Sequence, residues 1–387
     1  LLEGLPPTLL ASRVVYALDS FPLVAVPVFI FVGNLMNLAG ITDRIFRFAS
    51  VLAARLHGGL AQVNILASLI FSGISGAALA DVGGLGRVEI KAMRERGFDA
   101  PFAAAVTASS ALIGPIFPPS IPLIVYGSVT SVSIIQLLMA GILPALFCTA
   151  ALMATAAIVA LRAGYPRAER WPSVREVLKA LGPALPALLA PLFLIAGMLT
   201  GVFTPTEAAA AAAVYVLAIG FLLYREMTVA HVLHAALMTA RNTSAILVIV
   251  AAAAMFGWIL AIEEIPQAFG AAIAGLSGNR LVLLLLVNLI FFVAGMFLDS
   301  TTATLLIVPI IAPLVVAAGV DPVHLGLIVV FNLMIGLLTP PMGLALFLIC
   351  DIAQITMRAL LRALVPFYLP LAATLAAALA LPALGLD

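Results

Sequence analysis

Two proline pairs, each set in an apolar segment, are the residues most suited to ion binding. The segment 113–119, IGPIFPP, is followed 222 positions later by 335–341, IGLLTPP. A proline inside a helix removes the hydrogen bond to the carbonyl four residues earlier, and lipid cannot replace that bond. We therefore expect four freed carbonyl oxygens, those of Gly114, Pro115, Gly336 and Leu337. Such oxygens suit a sodium ion.

Two polar interruptions of apolar stretches could bind an acid. The stretch 58–85 is broken at 72–76, SGISG, and the stretch 281–318 is broken at 299–302, DSTT. Helix N-termini and hydroxyl groups at such breaks suit a carboxylate. The residues predicted to bind substrate are Ser72, Ser75, Ser300 and Thr301. Those predicted to bind sodium are Gly73, Gly76, Ser110, Gly114, Pro115, Asp299, Thr302, Asn332, Gly336, Leu337 and Thr339.

Structural roles stay open for several of these residues. Asp299 precedes Ser-Thr-Thr, which is also a helix N-cap pattern, but an acid at membrane depth is costly without a partner. The glycines could instead permit close helix packing. Ser110 and Asn332 stand at equivalent positions of the repeat, one turn before its glycines. They could bond across helices, or contact the ion or the substrate.

The composition places these residues in a polytopic membrane protein. Of the 387 residues, 64% are hydrophobic and only 9% are charged, against roughly 25% charged in soluble proteins. The net charge of +1 gives no basic field for nucleic acid. Neither Lys91 nor Lys179 follows a glycine, so the sequence has no Walker A motif of its own. A permease driven by a separate ATPase stays open as an alternative. Scattered histidines disfavour an enzyme, and re-entrant hairpins favour alternating access over a channel.

Several apolar segments approach or exceed the 20 or so residues needed to cross a bilayer. They are 21–40, 102–126, 136–161, 182–200, 207–224, 243–262, 325–350 and 364–383. The more polar segment 225–242 is predicted as an amphipathic helix on the cytoplasmic surface.

Basic residues determine the topology of the two interrupted stretches. Basic clusters at 44–57 and 87–96 flank the stretch 58–85, so both of its ends are cytoplasmic by the positive-inside rule. This stretch is therefore predicted as a re-entrant hairpin. Following the chain forward places 263–264 outside, so the hairpin 281–318 enters from the opposite face and the repeats are inverted. Of the 18 basic residues, only Arg13 and Arg280 are expected outside.

The predicted organisation follows from the repeats. Residues 1–57 form an N-terminal scaffold segment, 58–127 the first transport half and 277–350 the second. Residues 128–276 supply connecting scaffold helices and the start of the second repeat, and 351–387 supply a C-terminal scaffold helix. The predicted fold class is all-α, with two inverted repeats that each hold a re-entrant hairpin and a proline-broken transmembrane helix.

Four segments, in order, carry a family resemblance. They are 18–22 (LDSFP), 71–76 (FSGISG) running on to Asp81, 113–119 (IGPIFPP) and 336–341 (GLLTPP). Together they resemble the large membrane subunit of tripartite ATP-independent periplasmic (TRAP) transporters, within the ion-transporter superfamily. The resemblance covers nearly the whole chain. The family usually has a further hydrophobic helix before the first segment, and the chain starts at Leu1, so we expect an N-terminal segment to be missing.

The resemblance implies an elevator-type secondary transporter that imports an organic acid with sodium across the bacterial inner membrane. It also implies two partners: a small membrane subunit that completes the permease, and a periplasmic substrate-binding protein. Sodium is the expected coupling ion, and no organic cofactor is expected. The alternative function with the same hairpin architecture is a sodium-coupled dicarboxylate carrier that works without a binding protein.

Overall fold

Helices make up the whole regular structure of the described chain. The computed structural model describes residues 7–19, 21–53, 55–165, 171–264 and 280–380. Within these ranges the chain forms seventeen α-helices and no strand. The prediction of an all-α fold is confirmed.

Three helices precede the first hairpin. They are α1 (Pro7–Leu18), α2 (Phe21–Leu38) and α3 (Ile41–Ala53). Arg44 of α3 donates two hydrogen bonds to Glu226, at 2.8 and 3.1 Å, and its guanidinium lies 3.8 Å from the centre of the Tyr224 ring. The hydrogen bond from Arg44 lowers the pKa of Glu226, so the ion pair persists when the pH falls below the usual pKa of a glutamate.

The first hairpin and the first broken helix follow directly. The hairpin consists of α4 (Leu60–Ser75), α5 (Ala78–Gly83) and α6 (Leu85–Glu95), so its second arm is divided at Gly84. The segment 102–126 is not one continuous span. It is divided between α7 (Ala100–Ser110) and α8 (Ile121–Thr130), with a 3₁₀ turn and the first proline pair between them. The side chain of Ser120 caps α8 by accepting from the backbone N–H of Leu123.

Four helices of the described ranges lie between the first broken helix and the second hairpin, and the last of them contains the predicted start of the second repeat. They are α9 (Ile134–Ala163), α10 (Val174–Leu199), α11 (Pro205–Ala218), which continues as a π-helix to Tyr224, and α12 (Val229–Ile262). Ser173 and Thr204 begin α10 and α11 with capping boxes. The prediction of a separate surface helix at 225–242 is wrong, because most of that segment belongs to the 34-residue α12. At about 1.5 Å per residue, α12 is longer than the hydrocarbon core is thick, so it extends beyond the core.

The second hairpin and the second broken helix close the chain. The hairpin arms are α13 (Arg280–Phe297) and α14 (Ser300–Ala317), and the broken helix consists of α15 (Pro322–Leu337) and α16 (Leu344–Ala353). The last helix is α17 (Met357–Ala380). α8 packs on α14, and α16 packs on α5. The half-helix after each proline pair therefore contacts the hairpin of the other repeat.

Several helices are long and apolar enough to span a membrane. In the described residues there are six such helices, within α9, α10, α11 with its π-helical extension, α12, α14 and α17, and the bent pair of α1 and α2 would make a seventh. The prediction of a polytopic membrane protein is confirmed. Because α14 meets this length criterion, its prediction as a re-entrant arm depends on charge placement rather than on length.

Candidate transport site

The first hairpin turns at Gly76 and Ala77, because α4 continues as far as Ser75. Gly76 has a φ of +60°, and a Cβ at this position would lie 2.5 Å from the carbonyl oxygen of Pro119. Only glycine adopts this conformation at so close a contact without strain. The carbonyl of Gly76 accepts a hydrogen bond from the N–H of Ile121 at 3.2 Å. The tip is thus joined to the chain just after the first proline pair.

The second hairpin has a contact of the same kind. The N–H of Gly343 donates to the carbonyl of Met296, near the end of α13, at 2.8 Å. Gly343 follows Ile121 by 222 positions, the offset of the sequence repeat. In both repeats, therefore, the chain that follows a proline pair bonds to its own hairpin near the tip.

A small cavity lies where the two hairpin tips approach each other. Its volume is about 90 Å³, and its wall contains residues 77–79 of the first hairpin and 121–122 of α8. Asp299, Ser300 and Thr301 of the second tip complete the wall together with Leu337. The structure thus brings together two of the predicted substrate residues and two of the predicted sodium residues.

Asp299 is held by the first turn of α14. One of its oxygens, Oδ1, accepts hydrogen bonds from the N–H groups of Thr301 at 2.9 Å and Thr302 at 3.2 Å. The hydroxyl of Thr302 donates to the other oxygen, Oδ2. These contacts match the N-cap alternative for Asp299. Its place on the cavity wall is also compatible with a sodium role, which stays a prediction for Asp299 and Thr302.

The predicted residues of the first tip are placed less completely. Ser72, Gly73 and Ser75 lie in the last turn of α4 rather than in a break of the helix. The side chains of Ser72 and Ser75 lie outside the described part of the structure, and the predicted substrate and sodium roles of all three residues stay predictions.

Two of the four carbonyls that the sequence predicts to be free have hydrogen-bond donors. The carbonyl of Pro115 accepts from the hydroxyl of Ser120. The carbonyl of Gly336 accepts from the N–H of Thr339 at 2.8 Å. The prediction of four carbonyls without partners is therefore wrong, because the chain around each proline pair folds back to supply donors. A carbonyl oxygen has two lone pairs, so such a bond leaves one of them for a cation.

Ser110 and Asn332 have partners in the first arms of the hairpins. The hydroxyl of Ser110 donates to Asn64 Oδ1 at 2.9 Å, and the amide of Asn332 donates to Asn288 Oδ1 at 2.6 Å. All four side chains are buried. The interhelical alternative thus describes their contacts, and neither Ser110 nor Asn332 lies on the wall of the cavity between the tips. Their ion role stays a prediction.

The glycine and threonine of the second proline segment also have structural contacts. A Cβ on Gly336 would lie 2.6 Å from the carbonyl oxygen of Phe292, so this glycine allows α13 and α15 to touch. The hydroxyl of Thr339 donates to the carbonyl of Ile335 at 2.8 Å. In the first repeat, Gly114 and Pro115 are buried in the turn before the proline pair.

Comparison with known protein families identifies the family of this chain. The family model of the tripartite ATP-independent periplasmic transporter, DctM component, matches residues 1–384. The chain belongs to this family.

Relatives of this DctM component align with its sequence over most of their own length. The chain is 44% identical to the sialic acid TRAP transporter large permease protein SiaM of Vibrio cholerae, over 95% of this chain and 86% of the relative. It is 35% identical to the 2,3-diketo-L-gulonate TRAP transporter large permease protein YiaN of Escherichia coli, over 94% and 85%. The C4-dicarboxylate TRAP transporter large permease protein DctM of Pseudomonas aeruginosa is 33% identical, over 97% and 88%. These relatives are permease subunits, not enzymes, and the predicted class of transport protein is confirmed.

A solved structure shares the fold of this DctM component. The YdaH transporter of Alcanivorax borkumensis superposes with a TM-score of 0.67 at 16% identity, over 98% of this chain and 89% of that chain. At this identity the likeness concerns the fold alone.

Asn64 and Asn288 are the residues of the DctM chain that the sequence analysis missed. Asn64 also donates to the hydroxyl of Thr107 at 2.6 Å, so it bonds twice to α7. A signal was present: the two asparagines lie 224 positions apart, as do Gly33 and Gly257. Matching asparagines in two apolar hairpin arms indicate a shared interhelical role.

Proposed function

We propose that this DctM component is the large membrane subunit of a permease that imports an organic acid with sodium across the bacterial inner membrane. A small membrane subunit completes the permease, and a periplasmic binding protein delivers the acid. The single observation that carries this proposal is the cavity between the hairpin tips, where Asp299, Ser300 and Thr301 meet the first hairpin and Leu337.

The substrate class is supported by the chemistry of the second tip and by the relatives. The cavity lies against the first turn of α14, where Ser300 and Thr301 carry hydroxyl groups and Asp299 caps the N–H groups of Thr301 and Thr302. A helix N-terminus favours an anion. The named substrates of the relatives, sialic acid, 2,3-diketo-L-gulonate and C4-dicarboxylates, are all organic acids.

Sodium coupling is supported by oxygen-rich turns beside the same tips. Each proline pair places backbone carbonyls in a non-helical turn, which is mostly buried in the first repeat and exposed at Pro340 and Pro341 in the second. Asp299 adds a carboxylate to the cavity wall. Oxygen ligands of this kind suit a hard monovalent cation. An acid carried with sodium moves with part of its charge neutralised, which reduces the cost of crossing the low-dielectric membrane core.

Two substitutions of Asp299 distinguish the role of its negative charge from its role as the N-cap of α14. Asn caps a helix as well as Asp, so Asp299→Asn keeps the cap and removes the charge, whereas Asp299→Ala removes both and costs about 1 kcal/mol of stability. We expect both variants to lose sodium-stimulated uptake of the acid in vesicles that contain both permease subunits and the binding protein. Unchanged sodium stimulation in Asp299→Asn would exclude a role for the charge of Asp299, and unchanged stimulation in both variants would exclude its side chain as an ion ligand.

Leaving the binding protein out of the same vesicles tests the alternative. We expect uptake to fall to background without it. Uptake that persists at the full rate would instead support a self-sufficient sodium-coupled carrier.

A further inference from the structure

A second cavity lies between the scaffold and both transport halves, and it shares no wall residue with the cavity between the hairpin tips. Its volume is about 930 Å³, and it is lined by the ends of α1, α8 and α12, by the starts of α9 and α11, and by Leu305 and Pro309 of α14. In the predicted topology these helix ends all lie at the outer face, so the cavity opens toward the side from which a substrate arrives.

Arg13 is the cation of this cavity. Its guanidinium lies 6.0 Å from the centre of the Trp258 ring, at the outer limit of a cation–π contact. Neither of the ion pairs among the described residues involves Arg13. An arginine that has no carboxylate partner within the described ranges, placed on the wall of a large cavity, can donate two hydrogen bonds to an incoming carboxylate.

The acidic residues at the outer face leave Arg13 as one of few groups there that attract an anion. Arg13 and Arg280 are the two basic residues expected at the outer face, whereas seven acidic residues are expected there: Glu3, Asp19, Glu207, Glu263, Glu264, Asp321 and Asp387. A surface with this balance repels an anion except near its cations. Asp19 lines the same cavity as Arg13 and would repel a second carboxylate.

The remaining polar groups of the cavity suit hydroxyl groups. Tyr16 and Trp258 supply aromatic faces, and Ser128 and Ser131 supply hydroxyls. Aromatic faces next to hydrogen-bonding groups suit a ligand with one apolar face and several hydroxyls. The space beside them is open, because a Cβ built on Gly257 in the cavity wall has no neighbour within 4 Å.

We propose that this cavity is an entry site for acids with a single carboxylate and several hydroxyl groups, which binds the carboxylate at Arg13 and the hydroxylated body against Trp258. The site is distinct from the cavity between the hairpin tips. The proposal rests on the proposed import of an organic acid and narrows that acid to the class of sugar acids.

Trp258 provides a direct test, because the chain has 2 tryptophans. The permease is purified in detergent with the substitution Trp171→Phe in this chain. The tryptophan fluorescence of this chain then comes from Trp258 alone. The probes are gluconate and N-acetylneuraminate, with sorbitol as the uncharged analogue and succinate as a dicarboxylate without hydroxyls. We expect a saturable fluorescence change with at least one sugar acid and none with sorbitol, while succinate binds more weakly.

Two independent variants test the residues. Arg13→Gln should weaken the binding of the sugar acid about tenfold or more, as expected for a lost hydrogen bond to a charged group, and Arg13→Lys should weaken it less. The leucine of Gly257→Leu should fill the cavity and abolish binding. The variant should still fold, because a Cβ at this position meets no neighbouring atom within 4 Å. Gly182→Leu is the matched control, because Gly182 also has open space around it but lies outside the cavity.

The outcomes separate this proposal from the proposed function. The measurement needs neither a sodium gradient nor the binding protein, so a failure of sodium coupling leaves it intact. The entry site is overturned if neither sugar acid gives a saturable change, if sorbitol gives the same change, or if Arg13→Gln and Gly257→Leu bind as tightly as the parent. Sodium-driven uptake would still stand in that case.

Discussion

A buried pair of amides holds the second broken helix of this DctM component against its hairpin. Asn288 and Asn332 are both buried, and Asn332 donates to Asn288 and to the carbonyl of Ile328. Each amide therefore has a partner in a region where water cannot supply one. Removing one partner costs more than removing both, since the remaining group stays buried without its hydrogen bond.

Asn332→Leu is the residue change that tests this account. It leaves Asn288 Oδ1 without its donor from α15, so we expect a loss of about 1–3 kcal/mol in stability and a lower melting temperature in detergent. The double variant Asn288→Leu with Asn332→Leu should recover part of that loss. A double variant that loses the sum of the two single effects would show that the amides do not interact.

Sequence reasoning at this scale found the type of residue but not its partner. Ser110 and Asn332 were identified because they occupy equivalent positions of the repeat. The 224-residue spacing marks Asn64 and Asn288 as an equivalent pair, but a single sequence does not show that they face Ser110 and Asn332, because this depends on which faces of the helices meet. The carbonyls of Pro115 and Gly336 show the same limit, since their donors Ser120 and Thr339 are fixed by the path of the turn.

At the scale of elements, α13 and α15 touch through glycine. A Cβ on Gly295 would lie 2.6 Å from the carbonyl oxygen of Leu333, and a Cβ on Gly336 would lie 2.6 Å from that of Phe292. Each helix thus presents a glycine to the backbone of the other. Such close contact lets the second broken helix follow its hairpin arm without intervening side chains.

Gly336→Ala tests this crossing. The added methyl group meets backbone atoms rather than a flexible side chain, so α13 and α15 must separate, and we expect a loss of about 1–3 kcal/mol. Gly182→Ala is the control, since a Cβ at this position of α10 meets nothing within 4 Å. In thermal melts Gly336→Ala should melt below the parent and Gly182→Ala should not. Equal melting of the two variants would contradict the close crossing.

The sequence predicts a helix break best where one type of residue, such as proline, is enough to cause it. A proline in the interior of a helix removes a hydrogen bond, and both predicted broken helices are interrupted next to their proline pair. The continuity of α12 was not predicted, because the change from the polar segment 229–242 to the apolar segment 243–262 does not break a helix. Hydrophobicity marks where a helix enters lipid, whereas caps and turns mark where it ends.

At the scale of the whole molecule, the half-helix after the proline pair of each repeat packs on the hairpin of the other repeat. The half-helix α8 packs on α14 of the second hairpin, and α16 packs on α5 of the first. Each hairpin is therefore positioned by both repeats, and the cavity between the tips depends on both proline pairs. If the two hairpins move together past the scaffold, as an elevator mechanism requires, these exchanged contacts would keep the tips in register.

The inverted arrangement of the repeats is a prediction from charge placement, and a pair of equivalent positions tests it. Arg96 and Ala318 lie 222 positions apart, and both are exposed beside the end of a hairpin. In a background that lacks Cys148 and Cys350, we expect the Ala318→Cys variant to react with a membrane-impermeant maleimide in intact cells. The Arg96→Cys variant should react only after the membrane is permeabilised, because the basic residues around it hold that loop in the cytoplasm. Labelling of both variants from the same side would mean that the two hairpins enter from one face, and the positive-inside assignment of 263–264 would be wrong.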